Sequence, residues 1–318
     1  MPRMSQISPD PTRETTFAAS SCGTLNANIL RMEDIMGREE NKAVFENTVK
    51  LCNDNPKLNE LVKKSVENQK LFPESLSLPE INTARYNTAA TIHVSARRTL
   101  DAASSYRGRK TAVHNFASAT KPGGGVERGA NAQEECLCRC SGLYYCLDNK
   151  EMWEGFYTPH RKVHDPLHND DIIYTPDVTV FKTDTANPEL MPEEDWYNVD
   201  VITCAAPNLR PKPSNQYNPG DGILALDISG QDLLKIHEKR LRRILDVAVL
   251  NNAEVIVLGA FGCGAFLNDP EIVAEAAKNV LADYLHAFQV IEYAIYCSPK
   301  DKRNFNTFER VLQTIRDN

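Results

Sequence analysis

Three consecutive glycines, Gly123-Gly124-Gly125, are followed after seven residues (126–132) by Gln133-Glu134-Glu135. A run without Cβ atoms lets the backbone approach a ligand closely and aim its N–H groups at an anion, as a phosphate or diphosphate requires. Carboxyl groups beside such a loop can carry protons to and from a bound substrate. Each feature also has a plainer reading: glycines make flexible turns, and acidic residues complement the positive end of a helix. A second segment weighs against the plainer pair. The strand ending at Leu258 runs into Gly259-Ala260-Phe261-Gly262-Cys263-Gly264-Ala265-Phe266-Leu267-Asn268-Asp269-Pro270 and then a helix. Such a glycine-rich strand-to-helix turn can receive phosphate oxygens on backbone amides. It lacks the Gly-Lys-Ser/Thr ending of a nucleoside triphosphatase loop, and its spacing is not a dinucleotide fingerprint, so neither ATP hydrolysis nor hydride transfer is indicated. Two anion-receiving loops on one sheet edge suit a diphosphate bridge.

These loops need a scaffold, and the apolar rhythm supplies one. Short apolar runs at 90–94, 111–116, 178–182, 199–205, 254–258 and 290–296 read as strands, and 133–147, 232–251, 270–288 and 303–317 read as helices. Asn268-Asp269-Pro270 opens the third helix with a cap and a first-turn proline, while Leu234, Leu241, Leu245 and Ala248 share one face of the second. Strands alternating with helices imply an α/β fold with a mainly parallel sheet between helices. Its ligands settle at the carboxyl ends of the strands, here the loops after Phe116 and Leu258. Residues 1–27, rich in Ser, Thr and Pro, are expected to lack fixed structure. Residues 28–84 read as a helical N-terminal extension, with apolar positions at Phe45, Val49, Cys52, Leu58, Leu61, Val62 and Val66, leaving 85–318 for the catalytic domain.

Composition narrows the options further. A chain of 318 residues with 42% apolar and 25% charged content is that of a soluble globular protein with room for a sizeable core. The net charge of −7 and the absence of a dense basic block disfavour direct nucleic-acid binding. No apolar run reaches the roughly 18 to 20 residues that cross a bilayer, and the polar start has no signal-peptide core, so no membrane contact and an intracellular, cytoplasmic or nuclear, setting are expected. The nine cysteines, an odd number without secreted-type spacing, point to reduced thiols. Cys136, Cys138 and Cys140 lie two apart and would face nearly opposite sides of a helix, so they are expected as small buried side chains rather than a zinc site. His160, His164 and His168 would stack on one helix face, but Pro166 interrupts it and a surface loop is expected. No metal and no other cofactor is expected.

The spacing Gly-Gly-Gly, seven residues, Gln-Glu-Glu resembles the signature of poly(ADP-ribose) glycohydrolases. Asn115-Phe116-Ala117-Ser118 before the glycines and Gly259-Ala260-Phe261-Gly262-Cys263-Gly264 later resemble the bacterial-type branch, and the element order matches over 85–313. The resemblance implies a macrodomain-like fold in which the two loops hold the ADP-ribose diphosphate. It thereby assigns Ser118, Gly123, Gly124, Gly125, Val126 and Gln133, with Gly262, Cys263, Gly264, Ala265 and Phe266, to substrate binding. Animal-type enzymes carry asparagine near the position of Ser118, whereas serine there resembles the bacterial-type branch.

The resemblance also implies that the second glutamate, Glu135, is the catalytic acid/base and that ADP-ribose is released from polymer ends. Cleaving a ribose–ribose bond passes through an oxocarbenium-like state, and one carboxyl can protonate the leaving oxygen and then activate water. Neighbouring helical residues project about 100° apart, so Glu134 and Glu135 are not the facing acid and nucleophile of ordinary glycosidases; Glu134 is expected to grip ribose hydroxyls. The helix terminus favours the ionised carboxylate, whereas burial and a like-charged neighbour oppose it. Phe266 suits packing on a ribose, on adenine or in the core, and Cys263 reads as small rather than nucleophilic. The expected substrates are poly(ADP-ribose) or ADP-ribosylated proteins, with ADP-ribose as product. A module that binds ADP-ribose without cutting it, or a hydrolase for single ADP-ribose units on proteins, would use the same loops.

Overall fold

The computed structural model describes residues 20–216, 218–298 and 300–316. Two helices lead, α1 (Ser20–Asp54) and α2 (Pro56–Glu67), then the short strand β1 (Lys70–Phe72), β2 (Thr91–Ser95), the short helix α3 (Thr99–Ala103) and β3 (Thr111–Ala117). After the glycine loop come α4 (Gln133–Cys140), α5 (Leu143–Leu147), α6 (Lys150–Met152), a π-turn over Trp153–Tyr157 and α7 (Thr158–Val163). The remainder is β4 (Ile172–Val180), β5 (Tyr197–Ala205), α8 (Gly230–Leu250), β6 (Val255–Leu258), α9 (Pro270–Leu281), β7 (Val290–Ala294) and α10 (Arg303–Arg316). Of the stretch expected to lack fixed structure, 1–19 lies outside the described residues, and 20–27 begins α1, which meets no proline before Pro56.

The strands form one sheet in the order β1-β4-β5-β3-β6-β7-β2. β5, β3, β6, β7 and β2 are mutually parallel, while β4 runs antiparallel to both β5 and β1. Helices cover both faces, as a mainly parallel sheet requires. Ile244, Leu245, Val280, Phe288 and Phe308 fill one side, and Val113, Leu137, Leu143, Phe156 and Val201 the other. β1, within the stretch read as the helical extension, joins the sheet edge through Lys70↔Tyr174 to Phe72↔Ile172. No described helix is long and apolar enough to cross a membrane.

Two boundaries differ instructively from the sequence reading. The strand expected from Val178 begins at Ile172, because Pro176 sits at a register shift between Thr175 and Val178 instead of ending the strand. Asp177 there has φ 53° and donates its N–H to Asp200 at 3.0 Å, so a bulge absorbs the proline. The helix expected over 133–147 breaks at Ser141, whose extended backbone bridges Val180, and Gly142 donates to Thr179 O at 3.1 Å. A Cβ on Gly142 would come within 2.7 Å of Val62, so close packing of α2 coincides with the break.

Candidate active site

The cavity is set up by a divergence between neighbouring strands. β3 pairs with β6 only through Val113↔Val257, whereas its pairing with β5 continues to Ala117↔Ala205. Gln133 takes over the backbone groups near the opening: its side chain accepts from Phe116 N–H (2.9 Å) and donates to His114 O (2.7 Å) and Thr99 Oγ1 (3.1 Å). This peg, required because buried backbone groups need partners, fixes the start of α4 against the end of β3. His114 beneath it lies between Phe116 and Phe261, with ring centroids at 5.0 and 4.4 Å. Burial pushes its imidazole down to about 3.

Above this peg is a cavity of about 420 Å3, ample for part of a nucleotide ligand. Both glutamates of the first turn of α4 line it and are nearly buried, Glu134 at 3% and Glu135 at 6% exposed. Glu134 is held at both oxygens: Asn115 Nδ2 donates to Oε1 at 3.3 Å and Ser118 N–H to Oε2 at 2.8 Å. Gly125 N–H donates to Glu135 Oε1 at 2.9 Å. Burial, reinforced by the charge of Glu135, pushes Glu134 up to about 8 despite these donors. Burial also raises Glu135, opposed by the Gly125 amide and by Arg139. Desolvation therefore prevails over the helix terminus, and the pair retains a proton near neutrality.

The glycines serve this geometry at specific positions. Gly124 has φ +55°, and a Cβ there would lie 2.7 Å from Glu135 Oε1. Gly262, at φ +76°, would meet Asn268 Nδ2 at 2.6 Å and Ala206 at 2.7 Å, whereas a Cβ on Gly264 meets nothing within 4 Å. Turns from Cys263 N–H to Ala260 O (3.1 Å) and Leu267 N–H to Gly264 O (3.1 Å) fold the second loop over the cavity.

Among the anticipated residues, Ser118, Gly124, Gln133, Glu134 and Glu135 line the cavity from the first loop, and Gly262, Gly264, Ala265 and Phe266 from the second. Gly123, Gly125, Val126 and Cys263 stand behind that lining, where Gly125 holds Glu135 and Val126 N–H closes a turn on Gly123 O at 3.0 Å. The Ser118 hydroxyl accepts from Thr120 and Lys121 N–H at 3.3 and 3.2 Å, closing the turn into the glycine loop. The sequence reading missed Asn115 as a holder of Glu134. It also missed the far end of the cavity, where Arg98 lies 4.1 Å from the Tyr296 ring and donates to Cys136 Sγ at 3.2 Å. Asn115 was within reach, since it lies on the strand leading to the glycines; nothing marked Arg98.

The three α4 cysteines are buried as expected, and among the described residues no group of three His, Cys, Asp or Glu is placed to hold a metal. The histidine run is not a surface loop. His160 lies buried on α7, His164 ends that helix at φ 55°, and His168 is buried beside the cavity wall. Pro166 does interrupt the helix, but the chain turns inward after it.

Fold and site together define a mixed α/β protein with a buried carboxyl pair set between two glycine loops at the carboxyl ends of parallel strands, an arrangement suited to acid–base hydrolysis. Residues 39–183 match the family described as microbial-type PARG, catalytic domain. The chain is also similar to the poly(ADP-ribose) glycohydrolase of Thermomonospora curvata, at 27% identity and TM-score 0.71, covering 86% of this chain and 99% of that one. The Deinococcus radiodurans poly(ADP-ribose) glycohydrolase solved in complex with ADP-ribose is 30% identical, with TM-score 0.64 over 80% of this chain and 98% of that one. No curated protein sequence matches. The chain belongs to the microbial-type poly(ADP-ribose) glycohydrolase family.

Proposed function

We propose that the cavity takes an ADP-ribose unit at the end of poly(ADP-ribose) and that the protein hydrolyses the ribose–ribose bond, releasing ADP-ribose. The carrying observation is the buried carboxyl pair beside the glycine loop, with Glu134 pushed up to about 8. The family supports the same reaction, as do the relatives solved with ADP-ribose or with the inhibitor ADP-HPD. The loop at Gly262–Phe266 receives the diphosphate on backbone N–H groups, Gly124, whose own N–H is held by Lys121 O at 3.0 Å, leaves room for its close approach, and the oxygen-pinned Glu134 orients the ribose hydroxyls. Glu135, whose Oε1 accepts from Gly125 N–H, passes the proton that the pair retains to the bridging oxygen as the C–O bond breaks. The resulting carboxylate then takes a proton from the water that attacks the oxocarbenium-like sugar, restoring the acid.

Labelled poly(ADP-ribose) incubated with the purified protein should yield free ADP-ribose from the first time points, without an early burst of long fragments. Early internal fragments would overturn release from ends. Polymer that is bound but never shortened would overturn hydrolysis, and release only from singly modified protein would redirect the activity to mono-ADP-ribosyl substrates.

A further inference from the structure

A buried polar chain runs beneath the cavity and joins its two loops. Asp221, fully buried, accepts from Thr120 Oγ1 at 2.9 Å and from Asn208 Nδ2 at 2.7 Å. Thr120 belongs to the turn that leads into the three glycines, and its N–H reaches Ser118 Oγ. On the other side, His168 Nε2 lies 3.5 Å from Asp221 Oδ2, with both side chains essentially inaccessible to solvent. His168 Nδ1 faces Ala206 O at 2.8 Å and must donate to it, since a carbonyl only accepts. A ring carrying that proton alone turns a bare Nε2 lone pair toward the carboxylate; a ring carrying both protons is attracted to it. The His168 ring also lies 6.1 Å, centroid to centroid, from Phe266 on the second loop. Leu209 N–H donates to Phe266 O at 2.9 Å, and Asn268 Nδ2 donates to Pro207 O at 2.7 Å. Thus the segment that carries Asn208 is stitched to the second loop while Asp221 is bonded to the first.

We propose that Asp221 is a positioning residue which, with His168, Asn208 and Thr120, ties the glycine loop to the Phe266 loop and sets the gap into which the ligand's diphosphate fits. The inference rests on the ADP-ribose reading of the cavity. Neither glutamate bonds Asp221, Asn208, His168 or the Thr120 side chain; they are held instead by Asn115, Ser118 N–H and Gly125 N–H. A loosened tie therefore weakens binding of substrate and transition state alike, raising KM while leaving kcat near the parent value.

Asp221→Asn keeps the side-chain shape and removes the charge. Thr120→Val deletes the hydroxyl that bonds Asp221, and Thr120→Ser retains it. The Asp221→Asn and Thr120→Val proteins should each raise KM for the polymer and weaken ADP-ribose binding by about tenfold, the loss of one buried charge-assisted bond, with kcat changed by less than about threefold. Thr120→Ser should behave as the parent. Amide hydrogen exchange over 120–124 without ligand should quicken in Asp221→Asn and Thr120→Val but not in Thr120→Ser, with the Gly125 amide that holds Glu135 unchanged. A parent protein that does not bind ADP-ribose would defeat the reading of the cavity, while the exchange experiment would still decide the tie. Equal behaviour of the valine and serine proteins, or unchanged exchange in Asp221→Asn, would overturn it.

Discussion

Placing two carboxyl groups side by side in a nearly closed cavity has a thermodynamic cost that a pH series can read. Glu134 has an ordinary value of 4.5 when exposed and is pushed up to about 8 in the fold. Below pH 4.5 the group is neutral in both folded and unfolded chains, and burial carries no ionisation penalty. Between 4.5 and 8 the unfolded chain gains by ionising while the folded one does not, so stability conferred by the neutral group is lost progressively until pH passes about 8. Glu134→Gln should therefore be more stable than the parent at pH 9, on the order of a few kcal/mol, with the difference shrinking toward pH 4. Urea unfolding at several pH values measures this, and parallel stability curves would contradict the burial account. At this scale the sequence was informative: glycines and glutamates were visible as a spaced set. Whether dipole or burial governed their protonation was not, because that depends on Asn115, Ser118 and the depth of the cavity.

The elements show why similar glycines do different work. In the second loop, Gly262 adopts a left-handed backbone and has Ala206 and Asn268 against its missing Cβ, while Gly264 faces open cavity. Gly262→Ala should accordingly lower Tm, through strain at a positive φ and a clash with the Ala206 Cβ and the hydrogen-bonded Asn268 amide. Gly264→Leu should leave Tm nearly unchanged yet abolish measurable ADP-ribose binding in calorimetric titration, because the new side chain occupies the ligand's space. A folded Gly264→Leu protein with parent affinity would remove the second loop from the site. The strands and helices flanking both loops were legible from periodicity because apolar spacing reports which face is buried. The start of β4 and the break between α4 and α5 were not, since a bulge at Pro176 and the approach of Val62 to Gly142 are tertiary facts. The histidine run failed for the same reason: Pro166 correctly ended a helix, but where the chain then goes depends on Arg240, which donates to the carbonyls of Ala205 and His168.

For the molecule as a whole, the leading helices are fastened to α4, the helix that carries the two glutamates. Thr48 Oγ1 donates to Arg139 O at 2.5 Å, and buried Lys182 donates to Thr48 Oγ1 at 2.8 Å and to Val44 O at 2.9 Å. Burial depresses that lysine to about 8. A Cβ on Gly129, just after the glycine loop, would overlap the carbonyl of Arg38 on α1. Thr48→Val removes one donor to α4 and one acceptor for the lysine, so it should cost about 1 to 3 kcal/mol and lower Tm by several degrees. An unchanged Tm would mean that the Thr48 hydroxyl contributes nothing to holding α4. The sequence marked this region as helical through Phe45, Val49 and Cys52 but gave no sign that β1 would complete the sheet edge, because three residues are too few for periodicity to register.

If Glu135 supplies the proton and then activates water, single-turnover cleavage of labelled poly(ADP-ribose) by Glu135→Gln, beside calorimetric titration with ADP-ribose, shows it most directly. The amide can still accept from Gly125 N–H but cannot exchange a proton with substrate. Acid–base catalysis is worth about 10² to 10⁴ in rate, so cleavage should slow by that factor while ADP-ribose affinity stays within a few-fold of the parent. A folded Glu135→Gln protein that cleaves the polymer at near the parent rate would contradict the account.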